Sequence, residues 1–161
     1  RVRAALASQI HETADVGVGR VSCAEIDARG LGWARREVFL RALRGLSAPP
    51  GAVVVDGTGF FDGYGDAPFR LVPRADDAYA HVAAASIVAK DFRDTLVRRT
   101  CEASPGTARI YGWAQNKGYP SAQHRAAILA HGRTTVHRAS FAPCARAPLA
   151  AHVCAVTASD V

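Results

Sequence analysis

A run of β-branched residues between helical segments sets the strongest constraint on the fold of this chain. Ala52-Val53-Val54-Val55 is apolar without interruption, which is typical of a strand buried on both faces. A second short strand is predicted at Phe69-Arg70-Leu71-Val72, and Pro73 ends it. Apolar residues at helical spacing precede and follow these two segments. Because strands alternate with helices, the sequence predicts an α/β fold.

The predicted sheet is small for the helices around it. Three or so short strands are few for four helices with an apolar face, since about five strands are usual in a sheet. We therefore expect that strands of this sheet precede Arg1, where the chain begins without methionine and within a helix. The predicted elements are helices at 1–13, 33–46, 81–102 and 121–131, and strands at 15–21, 52–55 and 69–72.

Local signals predict where several elements begin and end. Ser22 and Glu25 have the spacing of a capping box, which should open a short helix that ends near Gly30. Gly132 should end the helix that begins at Ser121. The segment after Pro143 is rich in alanine, so we expect a domain over 1–143 and a flexible tail over 144–161. The apolar residues expected to face inward include Val2, Ala5, Leu6 and Ile10 in the first helix, and Phe39, Leu43 and Leu46 in a later one.

Composition is that of a soluble globular protein of one domain. Apolar residues make up 49% and charged residues 21% of the 161 residues, and no apolar run is long enough for a membrane span. The net charge of +6 favours a polyanionic partner such as nucleic acid, although a basic solvated face gives the same value. Cys23, Cys101, Cys144 and Cys154 are far apart, which indicates reduced thiols of a cytoplasmic protein.

The helix that follows His81 carries one acid at a defined position. Asp94 lies roughly opposite the predicted apolar stripe, in line with Ile87 and Lys90. Asp94 is therefore either a positioned carboxylate or one half of an exposed ion pair with Lys90. The stripe that we expect to pack inward consists of Val82, Ala85, Ala89, Phe92 and Leu96.

A second acid ends the predicted central strand. Asp56 lies at the carboxyl end of the valine run, where open α/β sheets bind their ligands. Asp56-Gly57 is also a common turn pair, so a purely structural role remains open. If Asp56 and Asp94 act together, two carboxylates favour a divalent hard cation, and two such ions can support phosphodiester cleavage.

Two later segments combine groups that can bind a nucleic acid. Residues 111–120 contain aromatic rings, glycines and Lys117, and they form either a binding loop or an ordinary surface loop. His137-Arg138-Ala139-Ser140-Phe141 could hold a phosphate or attach the last turn to the domain. A metal-independent hydrolase that uses Ser140 and His137 is a third possibility, but no nucleophile elbow supports it.

Together these segments resemble ribonuclease HII, the bacterial type 2 ribonuclease H, from Arg1 to Pro143. The resemblance depends on the order and spacing of several short motifs, each of which is weak alone. They are Val55-Asp56-Gly57, Pro73-Arg74-Ala75-Asp76, Ala83-Ala84-Ala85-Ser86-Ile87-Val88-Ala89-Lys90, Arg93-Asp94, Asn116-Lys117-Gly118-Tyr119, His124 and His137-Arg138-Ala139-Ser140-Phe141.

The resemblance implies a ribonuclease H-like α/β fold with a mixed sheet flanked by helices. It implies a monomer that cleaves RNA in RNA–DNA hybrids, and single ribonucleotides within DNA, with two Mn²⁺ or Mg²⁺ ions. Such an enzyme serves replication and ribonucleotide excision repair. Asp56 and Asp94 would be the third and fourth of four metal-binding acids. Tyr119 would pack on the sugar at the RNA–DNA junction, and Lys90, Lys117 and Arg74 would contact phosphates.

The chain also departs from the family pattern. The Asp-Glu-x-Gly-Arg-Gly motif that carries the family's first two acids, and that reads the ribose 2′-hydroxyl, is not present in these 161 residues. Thr58 follows Asp56-Gly57 in place of the common asparagine, and Asp91 adds an acid near the site. We therefore expect the 161 residues alone to be inactive or nearly so. The alternative is a non-catalytic module that binds RNA–DNA hybrids.

Overall fold

The computed structural model describes residues 2–59 and 61–151. The described chain contains helices and strands in an order that confirms the predicted α/β class. The elements are α1 (Val2–Thr13), α2 (Cys23–Arg44), β1 (Val53–Asp56), β2 (Phe69–Val72), α3 (Ala75–Ala78), α4 (Ala80–Ala103), α5 (Pro105–Tyr111), α6 (Trp113–Asn116), α7 (Ala122–His131) and a 3-10 helix (Cys144–Arg146).

The chain divides into two compact units. The first comprises the described residues up to Val21 together with those of Leu31–Phe92. The second comprises Ser22–Gly30 and the described residues from Arg93 onward. The helices α2 and α4 each contribute residues to both units. In α2 the division falls at Gly30, whose φ of 83° and ψ of 162° interrupt the helix as the sequence predicts.

The first unit is built on a parallel pair of strands. β1 and β2 are aligned so that Val53 is paired with Phe69 and Asp56 with Val72. Val55 is buried, whereas Val53 and Val54 are only half-buried. The prediction of a strand buried on both faces is therefore wrong for two of its three valines, because the described sheet has only two strands. This sheet is parallel and not mixed, but the bounds predicted for β2 are confirmed.

Apolar side chains from α2 and from the segment between the strands cover this sheet. Leu40, Val55 and Phe61 form the buried cluster of the first unit, with Phe39 and Leu43 packed against it. The rings of Phe39 and Phe61 meet edge to face, with their centroids 5.8 Å apart. Phe39 and Leu43 thus face inward as predicted, because residues four positions apart lie on the same side of an α-helix.

The segment 15–21, predicted to be a strand, has no regular secondary structure and no strand partner among the described residues. It lies directly against the backbone of α2. A Cβ atom on Gly17 would stand 1.9 Å from the carbonyl oxygen of Ala42, and one on Gly19 would stand 1.9 Å from that of Val38. The glycines therefore permit close packing on a helix, and the alternation that suggested a strand has another cause.

The face of α1 differs from the predicted one. Val2 and Leu6 are 75% and 40% exposed, and Ala7 is the residue of this helix that is buried. The helix itself is confirmed at almost its predicted bounds. The prediction of an inward face containing Val2 and Leu6 is wrong because the side of α1 that packs inward is the one that carries Ala7.

The predicted stripe of α4 is wrong for three of its five residues. Ala85, Ala89 and Phe92 are exposed. Val88 and Val97, which were not part of the stripe, are buried. The larger Phe92 is exposed while two valines are buried, so the side of α4 that packs inward is set by the residues opposite the helix and not by side-chain size.

The second unit has its own core. Tyr111 is fully buried, and its ring stacks on that of Trp113 with the centroids 5.4 Å apart. The Tyr111 hydroxyl donates a 2.8 Å hydrogen bond to the carbonyl oxygen of Gly132, just after α7. The other buried members of this core are Val97, Ala108, Ala127, Ile128, Cys144 and Ala147.

Two of these core residues lie beyond Pro143. Cys144 and Ala147 are buried, and the backbones of Arg133 and Leu149 pair in an isolated parallel β-bridge. The Arg133 guanidinium also donates a hydrogen bond to the carbonyl oxygen of Ala147. These contacts correct the expectation that the chain loses its structure directly after Pro143, because small side chains suffice to fill this part of the core. The predicted tail over 152–161 lies outside the described residues.

Both predicted helix starts in the second unit are confirmed. The Ser22 N–H donates to the Glu25 carboxylate at 2.9 Å, and the Glu25 N–H donates to the Ser22 hydroxyl at 3.2 Å. This reciprocal pair is the predicted capping box. At α7 the Ser121 hydroxyl accepts a hydrogen bond from the His124 N–H, and Gly132 ends the helix with a φ of 88°.

The described residues contain no helix that is long and apolar enough to cross a membrane. Cys23, Cys101 and Cys144 form no disulfide bond among the described residues, and their reduced state stays a prediction. Cys154 lies outside the described residues.

We predict that Gly19→Ala destabilises the first unit. The added methyl group meets the Val38 carbonyl oxygen, so the segment must move away from α2, at a cost of about 1–3 kcal/mol in the free energy of unfolding. Urea-induced unfolding followed by circular dichroism measures this change.

Gly32→Ala provides the matched control in the same unit. Gly32 is helical and a Cβ atom there meets nothing within 4 Å. This substitution should leave stability unchanged or raise it by about 0.5–1 kcal/mol. An unfolding midpoint for Gly19→Ala equal to that for Gly32→Ala would contradict the close packing of this segment.

Candidate active site

The carboxylate of Asp56 lies at the end of β1. Asp56 Oδ1 accepts a 3.0 Å hydrogen bond from the backbone N–H of Ala75, the first residue of α3. Gly57 follows with a φ of 112° and donates its N–H to the carbonyl oxygen of Val72 at 3.0 Å. Asp56 thus takes part in the local turn, as the structural interpretation requires, and its exposed carboxylate is oriented by the bond from Ala75.

Asp94 lies in the second unit and Lys90 in the first, both on α4. Each of the two side chains is half-buried. Asp94 lies on the side of α4 that also carries Ile87 and Val97, and Val97 is buried. Half-burial is compatible with a positioned carboxylate and with an ion pair to Lys90, so both interpretations of Asp94 stay predictions.

The carboxylates suit a divalent cation in chemical type, because Mg²⁺ and Mn²⁺ prefer oxygen ligands. Within residues 2–59 and 61–151, however, no group of three or more His, Cys, Asp or Glu side chains is arranged to hold a metal ion. Asp56 and Asp94 belong to different units. The two acids are therefore chemically suited to bind a metal ion, but the described residues do not form a complete metal site around either of them.

Arg74 is an exposed guanidinium in the turn that precedes α3. Its backbone is left-handed, with φ 56° and ψ 42°, which is uncommon for a residue other than glycine. Its Nη2 atom lies 2.5 Å from Asp77 Oδ2, and 85% of the side chain is exposed. An ion pair this exposed contributes little to stability. Because most of the Arg74 side chain faces solvent, its guanidinium is accessible to an anion.

Residues 111–120 combine a buried half and an exposed half. Tyr111 and Trp113 belong to the core of the second unit, whereas Tyr119 is 55% exposed. Asn116 joins the halves, since its Nδ2 donates to the Tyr111 carbonyl at 2.6 Å and its Oδ1 accepts from the Gly118 N–H at 2.8 Å. The interpretation as an ordinary surface loop is therefore wrong for the first half.

A tight turn presents Lys117 and Tyr119. Lys117 and Gly118 both have positive φ angles, of 53° and 77°. Arg93 Nη2 donates to the Lys117 carbonyl at 2.9 Å, and its guanidinium carbon lies 5.7 Å from the centroid of the Tyr119 ring. The structure thus brings together Lys117 and Tyr119, two of the predicted substrate-contacting residues.

Two histidines connect this turn to the core. His124 Nδ1 lies 3.0 Å from the Tyr119 carbonyl oxygen, and the Nε2 atoms of His124 and His137 lie 3.0 Å apart. Trp113 Nε1 donates to His124 Nε2, and the Thr134 N–H donates to His137 Nδ1. These contacts join the two imidazole rings to Trp113, Tyr119 and Thr134 in one hydrogen-bonded group.

The segment 137–141 is attached to the helix that contains Asp27. Asp27 Oδ2 accepts from the Ala139 N–H at 2.7 Å, and Oδ1 accepts from the N–H and the hydroxyl of Ser140 at 2.8 and 2.5 Å. Burial alone would raise the pKa of Asp27, but the hydrogen bonds from Ser140 and Ala139 and the charge of Arg133 lower it. This contact supports the interpretation in which the segment attaches the last turn to the domain.

The same contacts remove the basis for a Ser140–His137 hydrolase. The Ser140 hydroxyl donates to Asp27, whereas His137 Nδ1 accepts from Thr134 and its Nε2 faces His124. The two residues are therefore oriented by different partners.

Sequence reasoning did not identify Asp27 or Arg93. Asp27 lies within the helix that the capping box opens, where an acid near the N-terminus is expected to interact with the helix itself. Arg93 adjoins Asp94 and was part of the quoted motif, but its partners lie 24 and more residues away along the chain. Spacing along one helix contains no signal for either contact.

We predict a loss of stability as the pH falls, caused by His137. Burial and the neighbouring His124 lower the pKa of His137 to about 4. Because the unfolded chain binds this proton near pH 6.5 and the folded chain does not, His137 contributes stability above about pH 6.5 and loses it towards pH 4. The free energy of unfolding should fall by about 2 kcal/mol between about pH 7.5 and about pH 5.

His137→Asn isolates this contribution, because the asparagine oxygen can still accept from Thr134. The variant should be less stable than the unaltered protein at about pH 7.5, yet lose about 2 kcal/mol less on acidification. Urea unfolding at both pH values gives the comparison. Parallel losses in the two proteins would show that His137 is not the group responsible.

Comparison with known proteins identifies the family of this chain. A family model described as Ribonuclease HII matches residues 2–144. The Ribonuclease HII of Jannaschia sp. (strain CCS1) is 41% identical over 144 residues, which is 89% of this chain and 70% of that protein. The Ribonuclease HII of Bacteroides thetaiotaomicron is 42% identical over 124 residues, which is 77% of this chain and 60% of that protein.

The chain thus spans between 60% and 70% of the length of these two relatives. The matched region contains Asp56, Asp94 and the turn with Lys117 and Tyr119. These matches and the α/β architecture confirm the resemblance stated from the sequence motifs. The chain belongs to the ribonuclease HII family of hydrolases.

Proposed function

We propose that this protein is a cytoplasmic endoribonuclease that degrades the RNA strand of RNA–DNA hybrids and cuts at ribonucleotides embedded in DNA. The observation that carries the proposal is the orientation of Asp56. Its carboxylate is exposed at the carboxyl end of β1 and is held there by the Ala75 N–H. In a member of this family, an acid so fixed is suited to bind a metal ion.

Asp56 and Asp94 are, in this proposal, metal ligands and hence catalytic residues. Two bound Mn²⁺ or Mg²⁺ ions supply the activation of water and the stabilisation of the leaving 3′-oxygen, which gives a 5′-phosphate product. The protein's own part is to hold the ligands. The hydrogen bond from Ala75 orients Asp56, and the partial burial of Asp94 restricts its side chain.

The proposed nucleic-acid contacts are consistent with the charge of the chain. A net charge of +6 favours a polyanionic substrate. Lys90, Lys117 and Arg74 are the proposed phosphate contacts, and the exposure of Arg74 supports its part. Tyr119 is the proposed contact to the sugar at the RNA–DNA junction, and its 55% exposure leaves ring surface available.

We predict that Asp94→Asn in the product of the complete coding sequence lowers cutting by at least about 100-fold, because an amide binds a divalent ion weakly. The affinity for the substrate should change less than about threefold, since most of that affinity comes from phosphate contacts. Cleavage of a duplex with one embedded ribonucleotide, in Mn²⁺ and in Mg²⁺, measures the first quantity, and fluorescence anisotropy measures the second.

Asp66→Asn is the matched control, because Asp66 is an exposed acid outside the proposed site. Its cutting rate should equal that of the unaltered protein. If Asp94→Asn cuts as fast as Asp66→Asn, Asp94 is a surface residue and its assignment as a metal ligand is wrong.

The alternative function is a module that binds RNA–DNA hybrids without cutting them. The family's first two metal-binding acids lie in an Asp-Glu-x-Gly-Arg-Gly motif, which does not occur in these 161 residues. The chain therefore supplies only the third and fourth acids, Asp56 and Asp94. We therefore predict that the 161-residue chain alone binds a hybrid with an affinity that falls steeply with salt, but does not cut it.

A cleavage assay of the isolated chain with about 5 mM Mn²⁺, an excess typical for weakly held divalent ions, tests this prediction. Binding of the same hybrid at rising salt concentrations is the companion measurement. Efficient cutting by the isolated chain would show that Asp56 and Asp94 suffice with other residues of the chain, and it would eliminate the binding module.

A further inference from the structure

We infer that Arg93 is a positioning residue that holds Tyr119 and the backbone of Lys117 in the conformation that meets the nucleic acid. This inference rests on the proposed function, because it takes Tyr119 and Lys117 as substrate contacts. It assigns to Arg93 no contact with the substrate itself. All three residues belong to the second unit.

Arg93 makes two contacts with the turn. Its Nη2 atom donates a 2.9 Å hydrogen bond to the Lys117 carbonyl oxygen. Its guanidinium carbon lies 5.7 Å from the centroid of the Tyr119 ring, within the range of a cation–π interaction. One side chain therefore restrains both the backbone before Gly118 and the ring after it.

The turn requires such a restraint. Lys117 has a φ of 53°, a conformation that costs a residue with a side chain about 1 kcal/mol or more. Gly118 follows with a φ of 77°, and a Cβ atom there would stand 3.3 Å from Arg93 Nη2. Asn116 holds the turn from the core side through the Gly118 N–H. Arg93 supplies the hydrogen bond to the preceding carbonyl.

The chemistry of the contact selects arginine. A guanidinium is planar, so it can donate an N–H to a carbonyl and cover an aromatic ring at the same time. A lysine ammonium can replace the hydrogen bond but provides a smaller surface to the ring. Arg93 also directly precedes Asp94 on α4. The same helical turn thus carries a proposed metal ligand and the residue that positions the tyrosine.

A double-mutant cycle tests whether Arg93 acts through Tyr119. The proteins are the unaltered chain, Arg93→Gln, Tyr119→Ala and the double variant, and the quantity is the Kd for a duplex with one embedded ribonucleotide in metal-free buffer. We expect Arg93→Gln to raise the Kd about fivefold in the unaltered background but less than about twofold in the Tyr119→Ala background. Arg93→Lys should recover part of the loss.

The control is Arg98→Gln, which removes one positive charge from the same helix. Arg98 is exposed and lies 3.9 Å from Glu102. Its Kd should match that of the unaltered chain within about twofold, because a distant exposed charge contributes little at ordinary salt. Equal losses from Arg93→Gln in both backgrounds would overturn the inference, since Arg93 would then act independently of Tyr119.

Hydrogen–deuterium exchange of the free protein provides a second readout that needs no substrate. Exchange in the segment that contains Lys117 and Tyr119 should be faster in Arg93→Gln than in Arg98→Gln. Unchanged exchange would overturn the positioning role even if affinity fell. If the unaltered protein bound no ribonucleotide-containing duplex, the proposed function would fail, and exchange would still decide whether Arg93 holds the turn.

Discussion

The carboxylate of Asp27 joins the first and the last parts of the second unit. Its two oxygens accept three hydrogen bonds from Ala139 and Ser140, which lie 112 and 113 residues further along the chain. These bonds bring the helix opened by Ser22 and the last turn together around the core of Tyr111 and Trp113. The last turn in turn contains His137, which supports His124. One acid near the start of α2 thus attaches the segment that contains His137, and His137 contacts the His124 ring beside the turn with Lys117 and Tyr119.

The sequence predicts local features of the fold well and predicts the packing of the helices poorly. The Ser22 capping box, the interruption at Gly30 and the bounds of β2 follow from interactions between residues close in sequence, and all are confirmed. The inward faces of α1 and α4 depend on what lies opposite each helix, which a single sequence does not contain. The alternation around Gly17 predicted a strand because a pattern of small and large residues does not distinguish pairing with a strand from packing on a helix.

The residues of the candidate site show the same contrast between local signals, which the sequence contains, and long-range contacts, which it does not. Asp56 could be found from the sequence because the end of a β-branched run is a local signal, and its role as a metal ligand remains a prediction. Asp94, Lys90 and Arg74 are likewise predictions that rest on the family resemblance. Arg93 and Asp27 could not be found, since each acts on a distant part of the chain. The periodicity of a sequence reports local structure and gives no signal for a hydrogen bond between side chains far apart in the chain.

The turn that contains Tyr119 is held at two carbonyl groups. Arg93 donates to the carbonyl of Lys117, and His124 contacts that of Tyr119 at 3.0 Å. A loop fixed in this way has few conformations to lose when a ligand binds. Its conformational entropy is therefore lost when the protein folds, and the loss does not weaken association with the ligand. The His124 and His137 rings thereby link the core of the second unit to the thermodynamics of binding at its surface.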